Sequence, residues 1–183
     1  MKIDFLPVDL ARWDQAPPAD MLVVGFYSDV RPLRGAAGLL DWRLDGRLSA
    51  LIVAGNLSGA PDEQLLIPSR KRLPWQLTLS VGLGPAAALD EGLFSRTIHR
   101  TISTMRGLGL GRLAIALPGR DGDRIPARRA LQLFLKEAEE TQPGVVVDVT
   151  LIESAAGQKE LGEMVRRRAQ PPRPRDARAR GVG

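Results

Sequence analysis

Three short segments hold the residues best placed for chemistry. The first, Pro118-Gly119-Arg120-Asp121-Gly122-Asp123-Arg124, follows an apolar stretch and precedes a helical pattern. Backbone amides at a strand-to-helix junction can cradle a phosphate, aided by the helix dipole. Gly119, Arg120 and Gly122 are the candidate ligand contacts here, but Asp121 and Asp123 oppose an anion. The second, Leu33-Arg34-Gly35-Ala36-Ala37-Gly38, is another small-residue junction at a helix start. Gly35, Ala36 and Gly38 would let a backbone approach closely, whether that backbone meets a ligand or a neighbouring strand. The third, Gly82-Leu83-Gly84-Pro85, is explained by a turn after a strand.

Few residues suit catalysis or metal binding. The chain has no cysteine, which removes disulfides, thiolate ligands and cysteine nucleophiles. His99 is the only histidine and falls on a polar helix face with Ser95, Arg96, Ser103 and Arg106. It has no readable partner for a metal site or a hydroxyl nucleophile. Neither a zinc-protease helix, a nucleophile elbow nor a phosphate-loop signature is present. Trp13, Trp42 and Trp75 are dispersed, poor material for stacking bases. The inventory points to a protein that is not an enzyme and needs no metal or cofactor.

Charge divides the chain. From Arg166 onward there are seven arginines and one acid, whereas the whole chain carries +5, so the preceding body is close to neutral. Arg166, Arg167, Arg168, Arg173 and Arg175 are therefore the candidate contacts for nucleic acid or a partner. Such contacts would be sequence-independent and salt-sensitive. The Pro- and Arg-rich composition predicts a disordered basic tail over 168–183 behind a folded domain over 1–167. There is no apolar run long enough to span a bilayer, and the N-terminus lacks a signal-peptide pattern. The expected location is cytoplasmic.

The elements that must position these segments follow from periodicity. Lys2 to Leu6 reads as an edge strand, and Met21 to Phe26 as a strand buried on both faces. Gly35 to Asn56 carries a helical stripe, with Asp45-Gly46 splitting it and Asp45 capping the second half. Gln64 to Pro68 and Gln76 to Gly82 form a hairpin, the second strand having a partly polar face at Thr78 and Ser80. Asp90 caps a helix to about Leu108. A strand from Arg112 to Leu117, a helix opened by Pro126, a strand from Val145 to Ile152 and a helix from Gln158 to Arg168 complete the chain. The alternation predicts an α/β domain of three layers, α/β/α, with a mixed, mostly parallel sheet of about six strands.

Met21-Leu22-Val23-Val24-Gly25, then Leu33 to Trp42, Leu83-Gly84-Pro85 and Leu113 to Pro118 together resemble the N-terminal domain of the cytosolic leucyl aminopeptidases. The likeness runs from about Asp20 to Gly119. It implies a macro-domain-like fold that serves in oligomer assembly, while the family's two-metal peptidase site belongs to a separate C-terminal domain. No catalytic residue carries over. The expected role is a non-catalytic interaction or assembly module, binding a protein partner or itself. The alternatives are a nucleotide-like, ADP-ribose-type ligand at the two Gly-rich junctions, or nucleic acid at the tail. In ADP-ribose-binding macro domains the two phosphate-holding loops correspond roughly to 33–38 and 118–125. Asp121 and Asp123 depart from that pattern and imply weak or absent ADP-ribose binding.

Overall fold

Residues 1–169 are described by a computed structural model. The elements run β1 (Lys2–Leu6), α1 (Leu10–Trp13), β2 (Met21–Phe26), α2 (Gly35–Arg43), α3 (Arg47–Val53) and β3 (Gln64–Pro68). They continue with β4 (Leu77–Gly82), α4 (Glu91–Gly107), β5 (Arg112–Ile115), α5 (Ala127–Lys136), β6 (Asp148–Ile152) and α6 (Ala155–Ala169). The strands form one sheet in the order β1-β6-β5-β2-β4-β3. Every neighbouring pair is parallel except β3 and β4, whose short connection makes them the expected antiparallel hairpin.

Strand alternation makes the three layers. On β2, Met21 and Val23 face one core with Leu79, Phe94, Ile98, Leu131 and Phe134, under α4, α5 and α6. Leu22, Val24 and Phe26 face the other, with Trp13, Leu40, Leu48 and Trp75, under α1, α2 and α3. Full burial of such side chains stabilises by about 1.5–3 kcal/mol each before entropy is counted. Trp13 and Trp75 meet edge to face at 5.5 Å, and the Trp13 indole donates to the Pro7 carbonyl at 2.9 Å. Two of the three dispersed tryptophans are thus core residues, while Trp42 stays 71% exposed. The polar side chains of β4 are buried as well, with Thr78 donating to the Ile67 carbonyl across the hairpin at 3.2 Å.

Several boundaries differ from the sequence reading. The helix 35–56 does split at Asp45-Gly46, but Asp45 does not cap α3; its φ is 56° and its carboxylate pairs with Arg72. The acceptor is Asp41 on α2, which takes the amides of Leu48 and Ser49 at 2.7 and 3.1 Å. The last strand starts at Asp148 rather than Val145, because its neighbours β1 and β5 begin opposite that residue, at Lys2 and Arg112. A π-helical turn, Glu137–Thr141, follows α5 and brings the Gln142 amide to Ser103 Oγ on α4 at 2.6 Å. Pro126 is the N-cap rather than the first helical residue. The final helix starts at Ala155, its first turn bonded through Gly157 N to Ser154 Oγ. It runs to Ala169, so Arg166, Arg167 and Arg168 ride on a helix, with Arg168 paired to Glu139. Arg173 and Arg175 lie outside the described residues.

Asp20 ties the entry of β2 to that of β5. Its carboxylate accepts from the amides of Gly111 and Arg112 at 3.0 and 2.9 Å and from the Arg112 guanidinium at 2.8 Å. Burial works against the charged form, but the two amides and the guanidinium outweigh it and lower the Asp20 pKa. A lowered folded-state pKa means stability that is present above the unfolded value and lost as pH falls through the folded one. Melting temperature should therefore drop as pH falls below about 4. Asp20→Asn should melt lower at neutral pH and show a flatter acid limb. Parallel melting curves for the two proteins between neutral and strongly acidic pH would show the role assigned to Asp20 to be wrong.

Candidate functional site

The chain leaves β2 toward β3 on one side and leaves β5 toward β6 on the other, yet β2 and β5 are neighbours. The connections therefore diverge and open a crevice beyond the carboxyl ends of these strands, where open α/β sheets bind ligands. A cleft of ≈ 200 Å³ lies there, walled by Gly25 and Tyr27 at the end of β2, Gly35 to Ala37 at the start of α2, and Ala116 to Asp121 after β5. Ile152, Glu153 and Ser154 close it at the end of β6.

The loop after β5 is tightly wound. Gly119, Gly122 and Asp123 all have positive φ, and the Ile125 amide returns to the Gly119 carbonyl at 3.2 Å. A Cβ on Gly119 would meet Leu89 and Ile125 at 2.9 and 3.0 Å, so this glycine is required by close packing. Arg120 turns inward. Its Nε donates to Glu153 Oε2 at 2.7 Å, Nη2 to Oε1 at 3.2 Å, and Nη1 to the Ile125 carbonyl at 2.8 Å. The two charged side chains are 9% and 5% exposed. Burial works against the Arg120 charge, but Glu153 and then Asp123 outweigh it and hold the guanidinium firmly protonated.

The other polar groups behave differently. The Asp121 carboxylate lies over Gly35, its atoms 3.0–3.3 Å from where a Cβ on that residue would stand. The Tyr27 hydroxyl is buried without a hydrogen-bond partner. Its pKa is raised, chiefly by burial; the Arg124 guanidinium, 5.5 Å from the ring centre, opposes this, and Asp121 and Asp29 add to it. Asp123 points outward and pairs with Arg120 at 2.8 Å.

Of the residues singled out in the sequence, Gly35, Ala36, Gly119 and Arg120 share this cleft. Gly38 and Gly122 do not line it. A Cβ on Gly38 would stand 2.6 Å from the Leu33 carbonyl oxygen, so its smallness serves the entry turn of α2; Gly122 has nothing within 4 Å. Arg120 is present but committed to Glu153. Tyr27 and Glu153 were not singled out in the sequence, since each merely ends a strand. His99 is partly exposed on α4, 3.7 Å from Glu137. Among the described residues no group of three or more histidine, aspartate or glutamate side chains is placed to hold a metal. Nor, among them, is any helix long and apolar enough to cross a membrane.

Residues 23–141 match the N-terminal domain of the cytosol aminopeptidase family. The chain belongs to that family. A probable cytosol aminopeptidase of Shewanella frigidimarina is 36% identical over 88 residues, 48% of this chain and 17% of the relative. The chain thus spans under a fifth of that aminopeptidase, and the family's catalytic domain lies outside the match. A tomato leucine aminopeptidase mutant superposes with a TM-score of 0.58 and 14% identity, over 88% of this chain and 35% of that one. The Trypanosoma brucei macrodomain, solved in complex with ADP, superposes with a TM-score of 0.67 and 15% identity, over 90% of this chain and 69% of that one. The cytosol aminopeptidase N-terminal domain seen here therefore has the macro-domain-like fold that its sequence resemblance implied.

Proposed function

We propose that this domain is a non-catalytic assembly module that joins copies of its chain through a face centred on Trp42. The observation that carries the reading is the 71% exposure of Trp42, a large indole left outside both cores. It stands on α2 with Arg43 5.9 Å from its ring, and Val53 at the end of the adjoining α3 is 89% exposed. Beside it runs an open groove with Asp41, Asp45, Lys71 and Arg72 on its walls. An apolar anchor rimmed by charges of both signs is the composition of an association site. The near-neutral body adds little repulsion between copies. The family relation supports assembly over hydrolysis as the work of this domain, and the cysteine-free composition fits a cytoplasmic setting.

Analytical ultracentrifugation of the full chain tests this. The wild type should associate as concentration rises, and Trp42→Asp should weaken association by roughly thirtyfold, the loss typical of an anchor worth about 2 kcal/mol. Its melting temperature as a monomer should not change, because the side chain is outside the core. A wild-type chain that stays monomeric at every concentration, or a Trp42→Asp variant that associates as before, overturns the reading.

A further inference from the structure

We propose that β3, an open edge of the sheet, pairs with β3 of a second copy, antiparallel and centred on Leu66, as a contact separate from the Trp42 face. β1 and β3 are the two edges of the sheet. Edge strands are usually protected by charge, because their free amides and carbonyls invite another strand. β1 follows that rule with Lys2 and Asp4. β3 does not: Gln64-Leu65-Leu66-Ile67-Pro68 carries no charge, and Leu66 is 40% exposed.

The ladder shows which backbone groups are free. The Gly82 amide donates to the Glu63 carbonyl at 2.8 Å, and the Ser69 amide to the Gln76 carbonyl at 2.9 Å. Antiparallel bonding alternates along a strand, so Leu65 and Ile67 also bond to β4, opposite Ser80 and Thr78. Gln64, Leu66 and Pro68 therefore turn their backbone groups outward. A twofold axis at Leu66 sets this residue against its own copy, where each amide donates to the other's carbonyl. It sets Gln64 against Pro68 of the other copy. Pro68 has no amide hydrogen, but here only its carbonyl is needed, to accept from Gln64. An axis at Pro68 would lose the central donors, and one at Gln64 would recruit Asp62, whose φ of 70° takes the chain out of the strand.

Charge makes the occupant a second copy. Asp62 and Glu63 lead into β3, and Arg70 and Lys71 follow it. The axis at Leu66 brings Asp62 of each copy alongside Arg70 of the other. Both residues are exposed; Arg70 forms no ion pair among the described residues, and Asp62 has only Arg100 at 3.5 Å.

Sedimentation of the full chain carrying Trp42→Asp, which silences the other face, tests this. It should still form pairs, at higher concentration than the wild type needs. Adding Arg70→Asp sets like charges together twice per pair and should weaken pairing about tenfold at low salt. Adding Asp62→Lys as well should restore it, and Asp62→Asn, which suits the left-handed turn, should restore part. Both side chains are exposed, so the melting temperature of the monomer should hold. The Gln64 and Leu66 amides should exchange hydrogen at least about tenfold more slowly in the pair, since they are the donors it uses. A Trp42→Asp chain that stays monomeric while the wild type associates overturns the edge pairing and leaves the Trp42 reading standing. Equal association of wild type and Trp42→Asp, lost on adding Arg70→Asp, does the reverse. Pairing that ignores the charge exchange, or that leaves the Leu66 amide unprotected, belongs to another surface and overturns the proposal.

Discussion

Glu153→Ala should lower the unfolding free energy by about 3–5 kcal/mol, the usual cost of removing one partner from a buried ion pair. For a domain of this size that corresponds to a fall in melting temperature on the order of 10 °C. The cost arises from what remains. Arg120 would keep its charge in a place where its side chain is 9% exposed, with only the Ile125 carbonyl and the outward Asp123 to receive it. Glu153 is held from three sides: by the guanidinium, by the Ser154 amide at 2.8 Å, and by the Gly157 backbone, where an added Cβ would lie 2.5 Å from its side chain. Replacing both partners with apolar residues, Arg120→Met with Glu153→Leu, should recover most of the loss, since the pair itself contributes little net stability. Urea unfolding of the wild type and the two variants measures this. A loss below about 1 kcal/mol for Glu153→Ala would mean that the pair is solvated and that something else anchors the 118–125 loop.

The same pair shows where sequence reasoning stops. The strands were legible because their periodicity is a local property: Met21 to Phe26 is apolar at every position, as a strand covered on both faces must be. The cap at Asp90 was legible for the same reason, its acceptor lying three residues from the Leu93 amide. Arg120 and Glu153 are 33 residues apart, and nothing near either one marks the other as a partner. Composition suggested that Arg120 was free for a ligand, whereas the sheet order brings the ends of β5 and β6 together and spends that charge internally. Asp121 and Asp123 looked equivalent in the loop. The positive φ at Gly122 and Asp123 separates them, sending one carboxylate to Gly35 and the other to solvent. The short helix α1, capped by Asp9 at 2.9 Å, was missed because four residues are too few to show a period.

Asp41→Ala should cost about 3 kcal/mol and weaken assembly as well, because Asp41, on the wall of the groove beside Trp42, is also the cap of α3. Asp41 is 8% exposed, and its carboxylate is the acceptor for three donors at the start of α3. These are the amides of Leu48 and Ser49, at 2.7 and 3.1 Å, and the Ser49 hydroxyl at 2.5 Å. Gly46, at the N-cap of α3, has no side chain to do this and sits at φ 73°. A cap removed from a helix start costs about 0.5–2 kcal/mol, and each buried donor left unpaired adds about 1–3 kcal/mol. Since the Ser49 hydroxyl can turn to water, the middle of the combined range applies. Without the cap the first turn of α3 should fray, and with it the groove wall that Gly46 and Ser49 share with Trp42. Asp41→Asn keeps an acceptor for the two amides and should lose less than half as much. Asp45→Gly is the contrasting variant. It keeps the left-handed turn, removes only an exposed pair with Arg72, and should cost no more than about 1 kcal/mol. Urea unfolding and sedimentation of the three variants decide between the two aspartates. If Asp45→Gly costs more than Asp41→Ala, the local cap expected from the sequence is the right one, and the bond from one helix to the next is incidental.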